Sequence, residues 1–301
     1  MIISMKGVSK SFARNIAVNN IDLQITEGEI LGLVGPDGAG KTTIMRMLTG
    51  IVDPERGEIQ VLGSSNLESI KGSIGYIPQK FSLYGDLTVM ENINLLGALY
   101  GQTPAKIQEL ADTVLSFTKL LPFKDRLANN LSGGMKQKLA LATGMMHRPR
   151  ILFLDEPTTG VDPVSRREFW QMLYQLNKEG TTVVVSTPYM DEAELCHRLA
   201  FMHAGRIIAN DTPSQLKADY PYKILELPLH DRRIKQQLMS PAIVDINIFG
   251  NYYHLIVTDV AQAKQELQAT LSTLRPGFAG EIRVLEPSLD DVFVALADEV
   301  S

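Results

Sequence analysis

The sequence predicts an α/β fold with a largely parallel sheet, followed by a small α+β domain. Residues 150–154 and 181–186 are nearly continuous runs of apolar or β-branched residues. Such runs are typical of parallel strands that helices cover on both faces. A third run, residues 29–34, leads through closely spaced glycines into a helix-like stretch, as expected when a strand, a loop and a helix follow one another.

The elements of the first part of the chain can be assigned in order. Strand-like runs and the first helix-like stretch occupy residues 2–8, 17–25, 29–34, 44–48, 57–62 and 73–77. From about residue 79 to about residue 147 the apolar residues recur with helical periodicity instead. Because strand character returns at residue 150, we expect the stretch 79–147 to be a helical subdomain inserted into the sheet domain.

The character of the sequence changes again near residue 218. Turn-forming residues at 211–214 and 219–221 mark a boundary there, which predicts a first domain of residues 1–217 and a second of residues 218–301. In the second, strand-like runs at 222–227, 242–249, 252–257 and 281–285 alternate with helix-like stretches at 232–239, 260–274 and 289–297. Ser288 and Asp291 have the spacing of a capping box at the start of the last helix.

Composition and charge exclude several classes of protein. The chain has 301 residues, of which 45% are apolar and 21% charged, as in ordinary globular proteins. A net charge of -5 without a basic stripe gives no reason to expect a nucleic-acid partner. The N-terminal residues lack the apolar region of a signal peptide, and no run approaches the roughly 18 apolar residues of a membrane span, so we expect a cytoplasmic chain. The single cysteine, Cys196, is expected in the core.

Residues 35–43 read G-P-D-G-A-G-K-T-T and form the strongest motif of the chain. Between a strand and a helix, this spacing predicts a P-loop, whose backbone N–H groups and helix N-terminus hold the phosphates of a nucleoside triphosphate. Lys41 is expected to reach the β- and γ-phosphates, and the Thr42 hydroxyl to bind Mg²⁺. The predicted nucleotide-binding residues of this loop are Gly35, Pro36, Asp37, Gly38, Ala39, Gly40, Lys41, Thr42 and Thr43.

Two further segments carry groups suited to the same chemistry. The strand-like run 151–154 ends in Asp155 and Glu156, which predicts one carboxylate beside the metal ion and one beside the γ-phosphate. Upstream, Ser132, Gly133 and Gly134 open a helix-like stretch and offer a second place for phosphate on backbone N–H groups.

Together these motifs resemble the ABC ATPase family, over about residues 2–215. The resemblance implies a P-loop NTPase fold with a RecA-like core, and ATP with Mg²⁺ as cofactors. It identifies L-S-G-G at residues 131–134 as the signature motif and Asp162 as part of the D-loop. It also implies that Phe12 stacks on adenine, although an aromatic residue in a strand-like segment is otherwise as readily explained by core packing. Gln79 corresponds to the Q-loop, which implies a role in catalysis with Glu156 and Lys41 and in metal binding with Thr42 and Asp155.

Within that family the sequence is most similar to ATP-binding subunits of drug exporters, in particular to the first cassette of YbhF-type tandem ATPases. Residues 35–38, 78–81, 131–139 and 287–293 carry this closer likeness. It implies integral membrane permease subunits as partners, a second ATP-binding cassette in a homodimer or heterodimer, and a location on the inner face of the cell membrane. It assigns no role to the C-terminal domain.

Two positions depart from the family pattern. Met135 replaces a glutamine that is common in signature motifs, and the adjacent phosphate-facing residues are retained. Pro188 stands where the family usually has a histidine that contacts the γ-phosphate, and proline offers no side-chain donor and no N–H. Because losing one preorganised donor can slow a reaction by on the order of 10²- to 10³-fold, the sequence predicts ATP binding with slow hydrolysis.

The slow site leaves several interpretations open. The chain could pair with a different cassette and complete an efficient site there through residues 132–134, or form a slow homodimer. It could also be a catalytically degenerate regulatory subunit, or an ABC ATPase that acts outside transport. Asp191, Glu192 and Glu194 are predicted to form a solvated helix face. The histidines lack the spacing of zinc ligands, so no zinc site is predicted.

Overall fold

The computed structural model describes residues 1–13, 15–228, 232–274 and 280–298. It divides into two compact units, Met1–Pro213 and Ser214–Ser301. Residues 229–231, 275–279 and 299–301 of the predicted second domain therefore lie outside the described residues.

The first unit contains two sheets and a group of helices. Its strands are, in chain order, β1 (Ile3–Phe12), β2 (Asn15–Ile25), β3 (Ile30–Val34), β4 (Arg56–Val61), β5 (Ile74–Ile77), β6 (Ile151–Asp155), β7 (Thr182–Thr187), β8 (Arg198–His203) and β9 (Arg206–Asp211). Its helices are α1 (Lys41–Leu48), α2 (Val89–Leu99), α3 (Pro104–Phe117), α4 (Gly133–Gly144), α5 (Pro163–Lys178) and α6 (Met190–Ala193). A further helix, α7 (Pro213–Ala218), begins at the boundary between the units.

The larger sheet has the strand order β5-β6-β7-β3-β8-β9. Strands β3, β5, β6, β7 and β8 run parallel, and β3, β6 and β7 are buried along their whole length, which confirms the prediction from their apolar runs. Neither β8 nor β9 was predicted from the sequence, and β9 adds an antiparallel edge to the sheet. Because parallel strands end at the same edge, the loops after β3, β6 and β7 meet there.

The smaller sheet is antiparallel, with the order β2-β1-β4. Helix α1 lies between the two sheets, because its side chains Ile44, Met45, Met47 and Leu48 belong to a buried cluster that also contains residues of β1, β2 and β6. This position fixes the N-terminus of α1 at the edge where the parallel strands end.

The helices α2, α3 and α4 share a core of their own, which includes Ile93, Leu110 and Leu139. The first of them begins ten residues later than the sequence periodicity suggested, at Val89, because the Thr88 and Glu91 side chains form a capping box there. None of the helices in the described ranges is long and apolar enough to cross a membrane.

In the second unit an antiparallel sheet of order β11-β12-β10-β13 packs against a helix. Its elements are β10 (Lys223–Pro228), β11 (Ile243–Phe249), β12 (Tyr252–Val257), α8 (Val260–Leu274), β13 (Arg283–Leu285) and α9 (Leu289–Asp298). The predicted helix at 232–239 is a short 3₁₀ helix, Arg232–Leu238. The predicted capping box is confirmed, since Ser288 N–H donates to Asp291 Oδ2 at 2.9 Å and Asp291 N–H donates to Ser288 Oγ at 3.2 Å.

Candidate nucleotide site

The loop between β3 and α1 has the backbone that its glycines predict. Gly40 caps α1 in the left-handed region at φ 103°, which is strained for any residue with a side chain. A Cβ atom at this position would lie 2.3 Å from the Ala17 carbonyl oxygen, so β2 also excludes a larger residue. The loop therefore turns sharply into the N-terminus of α1, where the first N–H groups have no partner within the helix.

A cavity of about 480 Å³ opens in front of this loop. Its size lies within the range of ligand sites of proteins. Most of the predicted nucleotide-binding loop lines it, together with Phe12, Gln79 and Glu156, which are distant in sequence; the full lining is Phe12, Asn15, Ala17, Asp37, Gly38, Ala39, Gly40, Lys41, Thr42, Thr43, Gln79 and Glu156. A second cavity of about 420 Å³, beside Leu110 and Leu176, shares no lining residue with it.

Phe12 is placed at the wall of this cavity rather than in the core. Its side chain is 47% exposed, so the alternative of core packing is wrong. The Lys10 Nζ atom lies 5.6 Å from the centre of its ring, within the range of a cation–π contact. The open ring offers a flat apolar surface on which an aromatic base can stack.

Lys41 is buried and makes three polar contacts within the chain. Its Nζ donates to the carbonyl oxygens of Gly35 at 2.7 Å and Pro36 at 3.0 Å. It also lies 3.3 Å from Glu156 Oε1. The two charged side chains are only 3% and 7% exposed, so each neutralises the other in a weakly solvated place.

Asp155, at the end of β6, is buried among hydroxyl groups. Its Oδ1 accepts hydrogen bonds from Thr42 at 3.1 Å and from Ser186 at 2.6 Å, and its Oδ2 accepts one from Tyr76 at 3.5 Å. Burial and, after it, the Asp155 charge raise the pKa of Tyr76, so this phenol stays protonated and donates. A carboxylate surrounded by neutral hydroxyls is suited to receive a positive ion.

These groups fit a magnesium ion by their chemistry. Mg²⁺ prefers oxygen ligands and is held in nucleotide sites by one or two protein groups together with phosphate. Thr42 and Asp155 bring a hydroxyl and a carboxylate oxygen to one place. Gln79 uses its amide nitrogen to donate to Glu156 Oε2 at 2.8 Å, which leaves its amide oxygen as a further hard ligand.

Glu156 has an unusual backbone conformation, with φ at +47°. Its N–H donates both to the Ser186 carbonyl oxygen at 3.1 Å and to the Ser186 hydroxyl at 2.9 Å. Outliers of this kind persist only where the surroundings impose them, and they cluster at functional sites. The sequence analysis did not select Ser186. The one available signal was a serine near the carboxyl end of an apolar, β-branched strand, in a chain whose other apolar strand runs into two acids.

The predicted signature residues lie outside the cavity of the same chain. Ser132 caps α4, where its exposed Oγ accepts from Met135 N–H at 3.3 Å, and Gly133 is also exposed. Gly134 is buried, and a Cβ atom there would lie 2.6 Å from the Ser165 side chain, which explains the need for glycine by packing. Met135 packs against the core of α2, α3 and α4.

Asp162 also lies outside the cavity and caps α5. Its Oδ1 accepts from Val164 N–H at 3.1 Å and Ser165 N–H at 2.9 Å. Hydrogen bonds from the Ser165 side chain and backbone lower the pKa of Asp162, so it remains ionised at the helix N-terminus. In this chain its position is explained by helix capping.

The prediction that Glu192 lies on a solvated helix face is wrong. Its side chain is 1% exposed, and its carboxylate accepts hydrogen bonds from Thr158 and, at 2.7 Å, from Thr187. Arg166 Nε lies 3.4 Å from the same carboxylate. Glu192 thus links Thr158, which follows β6, to Thr187, the last residue of β7 and the neighbour of half-buried Pro188. Asp191 and Glu194 are exposed, as expected.

The fold and the cavity together define a P-loop nucleotide-binding protein, and comparison with known sequences identifies the family. A profile of the ABC transporter family matches residues 18–159. The chain is 39% identical over 307 residues to the probable multidrug ABC transporter ATP-binding protein YbhF of Escherichia coli K12, covering 98% of this chain and 52% of that protein. It is 36% identical over 301 residues to the Nod factor export ATP-binding protein I of Rhizobium sp. strain N33, covering 98% of this chain and 96% of that protein.

The chain belongs to the ABC transporter family, as an ATP-binding cassette, and the predicted resemblance to exporter cassettes is confirmed. It spans about half the length of YbhF and almost the whole length of the Nod factor export protein. Among solved structures it resembles the dimeric ATP-binding cassette MJ0796 bound to ADP and Pi, with a TM-score of 0.65, 27% identity, and coverage of 70% of this chain and 98% of that one. This likeness confirms the predicted fold class.

Proposed function

We propose that this chain is the ATP-hydrolysing subunit of an exporter, and that it drives efflux through separate membrane subunits. The observation that carries the proposal is the convergence of the P-loop, Lys41, Thr42, Asp155 and Glu156 at one edge of the parallel sheet. The named functions of the relatives, multidrug transport and Nod factor export, support an export role.

The P-loop residues bind the phosphates of ATP in this proposal. The N–H groups at the start of α1 point to the phosphate oxygens, and Phe12 offers its exposed ring to the base. Lys41 moves from the Glu156 carboxylate to the β- and γ-phosphates, so ATP binding exchanges one negative partner for another. Thr42, Asp155 and Gln79 hold Mg²⁺, which when bound neutralises the charge that develops on the phosphate oxygens.

Glu156 is released by that exchange and becomes the group that orients and deprotonates the attacking water. The water oxygen forms a bond to the γ-phosphorus while the bond to the bridging β-oxygen breaks, which gives ADP and phosphate, and the water proton passes to Glu156. Gln79 donates to Glu156 Oε2 and keeps that carboxylate at the cavity. Lys41, Gln79 and Glu156 are therefore the proposed catalytic residues.

A second cassette is part of the proposal. Ser132, Gly133 and Asp162 lie away from the cavity of their own chain, and Ser132 and Gly133 are exposed at the N-terminus of α4. With Gly134, they would complete the nucleotide site of a partner cassette, whether a second copy or a different chain. Membrane permeases complete the assembly, which places this chain on the cytoplasmic face of the membrane.

The test of this proposal is the release of phosphate from ATP by the purified chain with Mg²⁺, together with ATP binding. We expect slow but measurable turnover, and co-purification with an integral membrane protein. Tight ATP binding without phosphate release would instead favour a degenerate subunit, which is the alternative that Pro188 supports. Recovery with ribosomes or DNA would contradict a role in transport.

Introducing a histidine at residue 188 is expected to accelerate ATP hydrolysis. We predict that Pro188→His raises kcat by about 10-fold or more, because the family usually has a histidine here that contacts the γ-phosphate, and one such donor is worth on the order of 10²-fold. Steady-state phosphate release measures the effect. Pro188→Ala is the matched control, since it removes the proline ring without adding a donor. Equal rates for the two variants would show that no donor is missing at this position.

A further inference from the structure

Ser186 lies directly behind the two carboxylates of the site, and none of the roles proposed above uses it. Strands β6 and β7 are parallel neighbours in which Asp155 is paired with Ser186. The side chain of Ser186 is fully buried. Its hydroxyl can therefore bond only within the protein, and its two partners belong to Asp155, which ends β6, and Glu156, which follows it.

The orientation of this hydroxyl is fixed by the chemistry of its partners. A serine hydroxyl donates one hydrogen bond and accepts others, an ionised carboxylate only accepts, and a backbone N–H only donates. Ser186 Oγ therefore donates to Asp155 Oδ1 at 2.6 Å and accepts from Glu156 N–H at 2.9 Å. The first contact holds the carboxylate that we assign to the metal, and the second holds the backbone of the carboxylate that we assign to the water.

The two contacts are the shorter of the two hydrogen bonds at Asp155 Oδ1 and the shorter of the two at the Glu156 N–H. Glu156 adopts a positive φ of +47°, which a non-glycine residue keeps only when neighbours hold it. Its N–H has one other acceptor, the carbonyl oxygen of the same Ser186, at 3.1 Å. On Asp155, Oδ1 is shared between Ser186 and the more distant Thr42, at 3.1 Å. Ser186 thus makes the shortest hydrogen bond to Asp155, and it provides both acceptors of the Glu156 N–H.

We propose that Ser186 is a positioning residue. Its hydroxyl orients the carboxylate assigned to the metal and, at the same time, holds the backbone of the carboxylate assigned to the water. The inference rests on the proposed ATPase function and deepens it. Groups that bind to a metal ligand from behind orient it, and their loss commonly reduces metal affinity or activity by about 10- to 100-fold.

A plain structural role is the competing explanation, and the same strand offers a matched control for it. Thr182, at the opposite end of β7, is equally buried, and its hydroxyl accepts from Gly28 N–H at 2.9 Å. Thr182→Val removes a buried hydroxyl from this strand while keeping its volume and leaving the acids untouched. Ser186→Ala removes the positioning hydroxyl, and Ser186→Thr restores it.

The experiment measures kcat, KM and ATP affinity, the last both with Mg²⁺ and with a chelator of divalent metals. We expect Ser186→Ala to lower kcat by about 10- to 100-fold and to weaken ATP binding only when Mg²⁺ is present. Ser186→Thr should recover most of both losses, and Thr182→Val should leave both quantities unchanged. Should Ser186→Ala not fold, Ser186→Cys keeps the volume with a weaker donor and is expected to show the same two losses in smaller measure.

The affinity measurement separates this inference from the proposed function. If the native chain does not hydrolyse ATP, the ATPase proposal fails, yet the Mg²⁺-dependent part of ATP binding still decides whether Ser186 positions Asp155. The inference is overturned if Ser186→Ala and Thr182→Val lower thermal stability alike while the Mg²⁺ dependence of binding and kcat remain those of the native chain.

Discussion

The Glu156→Gln chain is expected to lose ATP hydrolysis and to bind ATP more tightly than the native chain. Turnover should fall by on the order of 10²- to 10⁴-fold, since the amide cannot accept the proton of the attacking water. Phosphate release with Mg²⁺ measures the loss. ATP affinity, measured on the same protein by equilibrium binding, should instead rise.

The rise in affinity follows from the contact between Glu156 and Lys41. The Glu156 carboxylate lies 3.3 Å from the Lys41 ammonium group and must give way to phosphate, whose charge it also repels. The neutral amide neither competes for Lys41 nor repels the phosphate, so we expect binding to tighten by about tenfold. Gln79 donates to Glu156 Oε2, and it can donate in the same way to the amide oxygen of the Glu156→Gln side chain. The position of residue 156 is therefore retained.

Glu179→Gln provides the control for this substitution. Glu179 is exposed and makes a hydrogen bond with Gln175 on the surface of the first unit, so its neutralisation should change neither turnover nor affinity. Residual hydrolysis in the Glu156→Gln chain equal to that of the native chain would identify a contaminating ATPase or a different base. Unchanged ATP affinity would mean that the Glu156 to Lys41 contact does not oppose phosphate binding.

The sequence predicts those parts of this protein whose signal is local. The P-loop is such a case, because its spacing and its place between a strand and a helix are properties of contiguous residues. The buried parallel strands β6 and β7 are another, because burial on both faces leaves a continuous apolar run. Strand β9 was missed for the opposite reason: it is only partly buried and lies at an antiparallel edge, so its composition resembles that of a loop.

The misassigned and missed site residues depend on contacts across the fold. Glu192 lies on a four-residue helix whose sequence is acidic, and a solvated face was the natural prediction. Its partners Thr158 and Arg166 come from other segments of the chain, and only the folded arrangement brings them to it. Ser186 likewise acquires its role from the register between β6 and β7, which no local pattern specifies.

Removing the charge of Lys41 is expected to have the second large effect, on ATP binding and on stability at once. Lys41→Met keeps most of the buried apolar stem and deletes the ammonium group. Because charge-assisted hydrogen bonds to phosphate contribute about 1.5 to 3 kcal/mol each, ATP affinity should fall by on the order of 100-fold. Equilibrium binding of ATP in the presence of Mg²⁺ measures this loss.

The same substitution should destabilise the nucleotide-free protein. Glu156 is 7% exposed and has Lys41 as its cationic partner, so Lys41→Met leaves a buried carboxylate without a countercharge. Breaking such a pair from one side costs about 3 to 5 kcal/mol, which denaturant unfolding resolves readily. The Gly35 and Pro36 carbonyl oxygens also lose their donor, which adds to the loss in the same direction.

The double substitution Lys41→Met with Glu156→Gln separates the two effects. The neutral pair no longer contains a buried charge, so most of the lost stability should return, whereas ATP affinity should stay low because phosphate still lacks the ammonium group. A double variant as unstable as Lys41→Met would mean that the carbonyl contacts of Lys41, and not its pairing with Glu156, stabilise the loop. In that case the Glu156 carboxylate would not compete with phosphate for Lys41, and the tighter ATP binding expected of Glu156→Gln would need another cause.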